Sequence, residues 1–148
     1  MADERAGAEI VCGDEDCGRY SIDLLEELGF PKGILPLKDL VECGRVRQTG
    51  FVWLKQKAPC EHFFKEANAS VSYATEITAY IEKCKMTKVT GIKSKKMMMW
   101  VPVVEMSMEN EKSSKIYFKT SIGVGKSYPV TAFVTDEEKK MYVDQPSK

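Results

Sequence analysis

The chain has 148 residues, 43% of them hydrophobic and 30% charged, which is the composition of one ordinary globular domain and not of a disordered or fibrous chain. That length buries roughly 68–70% of the unfolded surface, so a core forms without covalent staples. Lys plus Arg and Asp plus Glu number 22 each, and this zero balance excludes a general nucleic-acid binder, which needs a basic surplus.

The first elements are read in chain order. Residues 1–13 are small and charged and are expected to be flexible, with the folded domain at 14–135 and a flexible charged tail at 136–148. The spacing of Cys17, Tyr20, Leu24 and Leu28 predicts a helix over Asp14–Leu28, with acidic residues at its positive end and Gly29 just past its stop. After Pro36 the period shortens. Thr49-Gly50 before Phe51-Val52-Trp53-Leu54 predicts a hairpin, and His62–Phe64 a short strand. Further strands are expected at Glu76–Cys84, Val89–Ile92, Met97–Met106, Ile116–Thr120 and Pro129–Val134, with turns at Asn110–Ser114 and Gly123–Lys126. Pro102 is expected to put its strand at an edge or a bulge, because proline donates no ladder bond. Many short strands at regular intervals predict a mainly β, single-domain protein: an antiparallel barrel or sandwich of about 8–10 short strands with one N-terminal helix.

No apolar stretch of secretory length follows Met1, and the longest apolar run, Met97–Val104, is too short to cross a bilayer. The expected location is therefore cytoplasmic, with no transmembrane segment. The odd set of five cysteines is expected to be reduced.

Few residues suggest chemistry. His62 is the only histidine, and Cys60 lies two residues before it, on the same face of a strand. A thiol beside an imidazole is what a cysteine nucleophile needs, so Cys60 and His62 are the weak catalytic candidates. The plainer reading is a surface histidine beside a small buried thiol. Gly123-Val124-Gly125-Lys126-Ser127 imitates a phosphate loop, but Thr120 stands where the pattern needs glycine and a strand follows where it needs a helix. Cys12 and Cys17 lack the second close pair that a zinc site requires. No metal and no cofactor are expected. Lys93, Lys95 and Lys96 precede Met97-Met98-Met99-Trp100, a basic cluster beside apolar bulk. A solvated turn leading into a core strand is the favoured reading, ahead of transient contact with an anionic membrane surface or a phosphate-bearing ligand. Strict alternation puts Met98, Trp100, Val104 and Met106 on one face and Met97, Met99, Val101 and Val103 on the other. Core packing is the favoured reading of this strand, ahead of a ligand cavity.

Several segments in order carry a resemblance: Gly29-Phe30-Pro31-Lys32-Gly33-Ile34-Leu35-Pro36, Thr49–Leu54, Val71-Ser72-Tyr73 with Ile77-Thr78, Met97–Val101, and Ser127-Tyr128-Pro129-Val130-Thr131-Ala132-Phe133. Together they resemble the plant family known as domain of unknown function 538, over about Asp14–Val134. Leu54–Lys57 and Val71–Glu76 are similar to its subgroup without a signal peptide. The resemblance implies a helix followed by a strongly bent β-barrel, and an association with stress responses and cell growth. It also implies a lipid-like ligand or, alternatively, hydrolysis of esters of chlorophyll or lipid type. It brings no catalytic residues. Methionine at 97–99, where the family carries leucine, would make a cavity there more deformable. The leading expectation is a non-enzymatic binding module for a lipid-like or amphipathic ligand, lined by Ile34, Leu35, Trp53, Met98 and Trp100. An ester hydrolase and a protein-interaction module are its rivals, and the oligomeric state is left open.

Overall fold

The computed structural model describes residues 3–123 and 125–134; the tail expected at 136–148 lies outside the described residues. Among these, nine antiparallel strands form one sheet and a single α-helix packs on it. The strands are β1 (Glu9–Cys12), β2 (Leu40–Val46), β3 (Phe51–Gln56), β4 (Cys60–Phe64), β5 (Ala69–Glu82), β6 (Lys85–Lys96), β7 (Met99–Ser107), β8 (Lys115–Thr120) and β9 (Gly125–Pro129). The helix, α1, runs Asp14–Glu27. Its acidic first turn faces the positive end of the helix dipole. Gly29 adopts φ 83° past its end, while the Phe30 N–H donates to the Leu25 carbonyl, closing a Schellman-type stop. Cys17, Ser21 and Leu25, four residues apart, form the buried stripe.

The strand order is β1-β2-β3-β5-β6-β7-β8-β9, with β4 paired to β5 off this path. The fold is mainly β, as the strand spacing predicts, and strongly bent, as the resemblance implies, but β1 and β9 do not pair, so the sheet stays open. The bend centres on β5. One edge of β5 serves two neighbours in turn: β4 along Ala69–Tyr73 and β3 along Glu76–Tyr80. Its other edge pairs with β6, whose register shifts between Tyr73 and Tyr80. Gly91 sits in this irregularity at φ 85°, where a Cβ would meet the Glu76 carbonyl oxygen at 2.3 Å. Only glycine allows that approach.

The bent sheet makes two lobes. In the first, α1 packs against β1 and β2, and Cys17, Leu40, Cys43 and Leu54 form a small core. In the second, β5–β9 curl around Met106, Ile116, Phe118 and Tyr128. This lobe is closed by side chains: Phe133, in the 3-10 turn Val130–Phe133, stands 4.7 Å from Phe64 and 5.2 Å from Phe118 between ring centroids. Thr131 Oγ1 donates to Glu66 Oε2 across the same seam at 2.9 Å.

Several expectations need correction. Glu9–Cys12, inside the segment read as flexible, is a strand paired with β2. Pro129–Val134 is not a strand; β9 ends at Pro129 and the chain turns into the 3-10 segment, which places Phe133 in the seam. Pro102 is in an internal strand and not at an edge, but the bulge expected as the alternative is there: the register shifts between Val103 and Glu105, and the β7–β8 ladder stops at Val103, where the missing donor is not needed. The alternation read along Met97–Met106 breaks at a bulge between Val103 and Glu105, so Val101, Val103 and Met106 all point inward. Met97 and Met98 leave the strand altogether and form the turn between β6 and β7.

Candidate functional site

The five residues expected to line a ligand cavity lie in three separate places. Ile34 is buried in the core, and its carbonyl accepts the Tyr73 hydroxyl at 2.9 Å. Leu35 borders a cavity of about 30 Å3 between α1 and the sheet, walled by Leu24, Leu25, Val52, Ile77 and Ile92. That is room for about two water molecules in an apolar space, and none for an acyl chain.

Trp53 sits on the opposite face of β3. Val52 and Leu54 turn toward the α1 side, whereas Trp53 packs with Phe51 and Val46 on the other. The N-terminal segment covers it, with the Arg5 guanidinium 4.6 Å from the ring centroid. Arg5 also pairs with Glu76 at 3.0 Å, and the Tyr80 hydroxyl donates to Glu4 at 2.7 Å. The Trp53 indole N–H donates to Glu42 at 2.7 Å, which holds that carboxyl below its usual range with help from Lys55. Trp53 is thus fully enclosed by its own chain.

Cys60 and His62 each have another partner. The Cys60 thiol donates to Gln56 Oε1 at 3.6 Å, and Gln56 Nε2 donates to the Tyr73 and Ala74 carbonyls. The His62 ring is exposed and packs 4.5 Å from the Phe64 ring. Among the described residues no hydrogen bond joins the thiol to the imidazole. All five cysteines are free thiols. Cys17 donates to the Val11 carbonyl at 3.2 Å, and burial pushes the Cys43 thiol up to about 12. This favours the neutral thiol, the opposite of what a nucleophile or metal ligand needs. Among the described residues, no group of His, Cys, Asp and Glu is placed to hold a metal ion.

Met98 and Trp100 belong to a different surface. Lys96 pairs with Met99, leaving a two-residue turn in which Met97 and Met98 both have positive φ, 47° and 73°. Primed turns of this kind match the twist of a hairpin and favour Asn-Gly, whereas ordinary L-residues lose about 1–2 kcal/mol each in the left-handed region. Met97 is 97% exposed, Met98 88% and Met99 68%. Trp100 is half-buried behind them, with Lys95 Nζ 5.8 Å from its ring centroid. Lys93 and Lys95 are exposed on the same hairpin.

Neighbouring elements bring more apolar surface to this end. His62, Val71, Ser94 and Val101 form one cross-strand row, so exposed Phe63 lies one residue nearer the tip. The Ser121 N–H donates to the Pro102 carbonyl at 2.9 Å, which brings exposed Ile122 to the same end. The lysine–methionine composition carried the signal for this surface. The missing Asn or Gly concealed that its methionines form a turn.

Residues 21–134 match the family described as Protein of unknown function, DUF538, and the chain belongs to that family. A protein of Arabidopsis thaliana described as uncharacterized is 31% identical over 105 residues, covering 71% of this chain. The chain spans 58% of that relative's length. No solved structure matches the chain.

Proposed function

We propose that the protein is a non-enzymatic binding module that docks on lipid-like, amphipathic surfaces through the β6–β7 tip. The observation that carries this reading is the pair Met97-Met98, apolar and nearly fully exposed in a turn whose backbone favours Asn-Gly. A local rule broken without gain to the fold marks a functional position. Methionine adapts to irregular apolar surroundings, and lysines beside it reach anionic headgroups while their stems stay in the interface. The interior supports the same reading, since its cavity is too small for a lipid chain. Hydrolysis has less support, because Cys60 and His62 are engaged elsewhere.

The test is cosedimentation with phosphatidylcholine vesicles containing phosphatidylglycerol. Burying one methionine contributes about 1.5–3 kcal/mol, so Met97→Ser with Met98→Ser should reduce partitioning about a hundredfold or more. The urea midpoint should not fall. Equal partitioning of the variant and the unaltered chain would refute tip docking.

A further inference from the structure

Behind the tip, the inner face of the second lobe opens in a small mouth. Ser94 and Lys96 of β6, Thr120 of β8, and Gly125, Lys126 and Tyr128 of β9 line it. Lys96 Nζ donates to the Tyr128 hydroxyl at 2.8 Å. The ammonium groups of Lys96 and Lys126 lie 5.5 and 5.3 Å from the centroid of the Tyr128 ring. Two cations thus converge on one tyrosine, no carboxylate lines the mouth, and neither lysine forms an ion pair among the described residues. Ser94 and Thr120 add two hydroxyl side chains buried in this lining.

We infer that this mouth is a phosphomonoester site that reads the headgroup of the lipid on which the tip docks, an inference that rests on the docking reading. A phosphomonoester carries about −1.5 to −2 charges at neutral pH, which two ammoniums balance. The cavity behind the lysines is only about 20 Å3 and is lined in part by the apolar Val103 and Phe118. The terminal phosphoryl group would therefore sit at its rim, against the two ammoniums, where a monoester offers more charge than a diester flanked by carbon on both sides. Its position behind an apolar tip is where a headgroup stands when the tip reaches the acyl boundary.

The experiment compares phosphatidylcholine vesicles containing phosphatidic acid with vesicles containing phosphatidylserine at matched surface charge. The unaltered chain should prefer phosphatidic acid. Each lysine near an anionic surface is worth about fivefold, so Lys96→Gln with Lys126→Gln should weaken binding about twenty-five-fold on phosphatidic acid and abolish the preference. Lys93→Gln with Lys95→Gln removes the same charge away from the mouth and should weaken both binding reactions while keeping the preference. Lys126→Gln alone, at an exposed position, covers the case in which the double variant does not fold.

Equal binding to the two lipids, or a preference that survives Lys96→Gln with Lys126→Gln, overturns the site. A soluble arm separates this from failure of docking. Glycerol 3-phosphate should shift the amide resonances of Gly125 and Lys126 in a 15N–1H spectrum. Unselective vesicle binding with no such shift overturns the mouth and leaves the tip standing. A shift without vesicle binding overturns the lipid source and the tip together, leaving a site for a soluble phosphomonoester.

Discussion

Methionine occupies both ends of the β6–β7 hairpin, and the two ends treat it in opposite ways. At the root, Met86 pairs with Met106, both are buried, and Met108 is buried beside them. The root turn is tied down too: the Cys84 N–H donates to the Leu28 carbonyl at 2.8 Å, and the Met108 N–H donates to the Cys84 carbonyl at 2.9 Å. At the tip, Met97, Met98 and Met99 face outward. The root methionines fill an irregular core, so folding accounts for them. Met97 and Met98 bury almost nothing and occupy a backbone that disfavours them, so stability does not account for them.

The comparison breaks first at Met106. Met106→Ala should destabilise the protein by about 2–5 kcal/mol in a urea titration, whereas Met98→Ala should stay within about 0.5 kcal/mol. A small loss at Met106 would mean the root is loosely packed and the contrast is false. A smaller effect of opposite sign is expected at the tip. Met97→Asn with Met98→Gly should raise stability by about 1–2 kcal/mol, because both residues suit the primed turn, and should abolish vesicle binding.

The root also carries a pH dependence. Burial raises the Cys84 thiol above its ordinary 9.0. Above that pH the unfolded chain releases this proton before the folded one does, so the folded state binds more protons and stability falls as pH rises. Cys84→Ala should flatten the alkaline limb of a stability-versus-pH curve in part, leaving what Cys17, Cys43, Tyr20 and Tyr73 contribute, whose groups burial likewise raises. The least perturbing check is mild peroxide followed by peptide mass spectrometry. Met97, Met98 and Met99 should oxidise before Met86, Met106 and Met108, since access governs the reaction.

The helix and the first hairpin were legible because each has its own local signals. The stripe Cys17, Tyr20, Leu24 and Leu28, widened by Ser21 and Leu25, marks the helix together with Gly29, although its most buried line runs through Cys17, Ser21 and Leu25. Thr49-Gly50 between apolar runs marks the hairpin. The bulge after Val103 was not legible, because an inserted residue looks like a continuation of the same alternation until a partner strand is present. The same holds for the tip: a turn made of two methionines carries no turn residue, so it reads as strand. Trp53 misled for another reason. A tryptophan in an apolar strand fits a ligand wall or a core equally, and only the placement of Arg5 and Glu42 over it decides between them. The lysines of the mouth come from β6 and β9, thirty positions apart in the chain, and no local pattern links Lys96 to Lys126.

The seam at Phe133 has a mechanical consequence. A closed barrel resists opening at every point of its circumference, because each strand is hydrogen-bonded on both edges. Here the second lobe is a curved spring clipped at its ends by the ring contact of Phe64 with Phe133 and the bond of Thr131 to Glu66. Parting that clip breaks no strand ladder, so the lobe breathes along this line at a lower free energy than any route that separates paired strands.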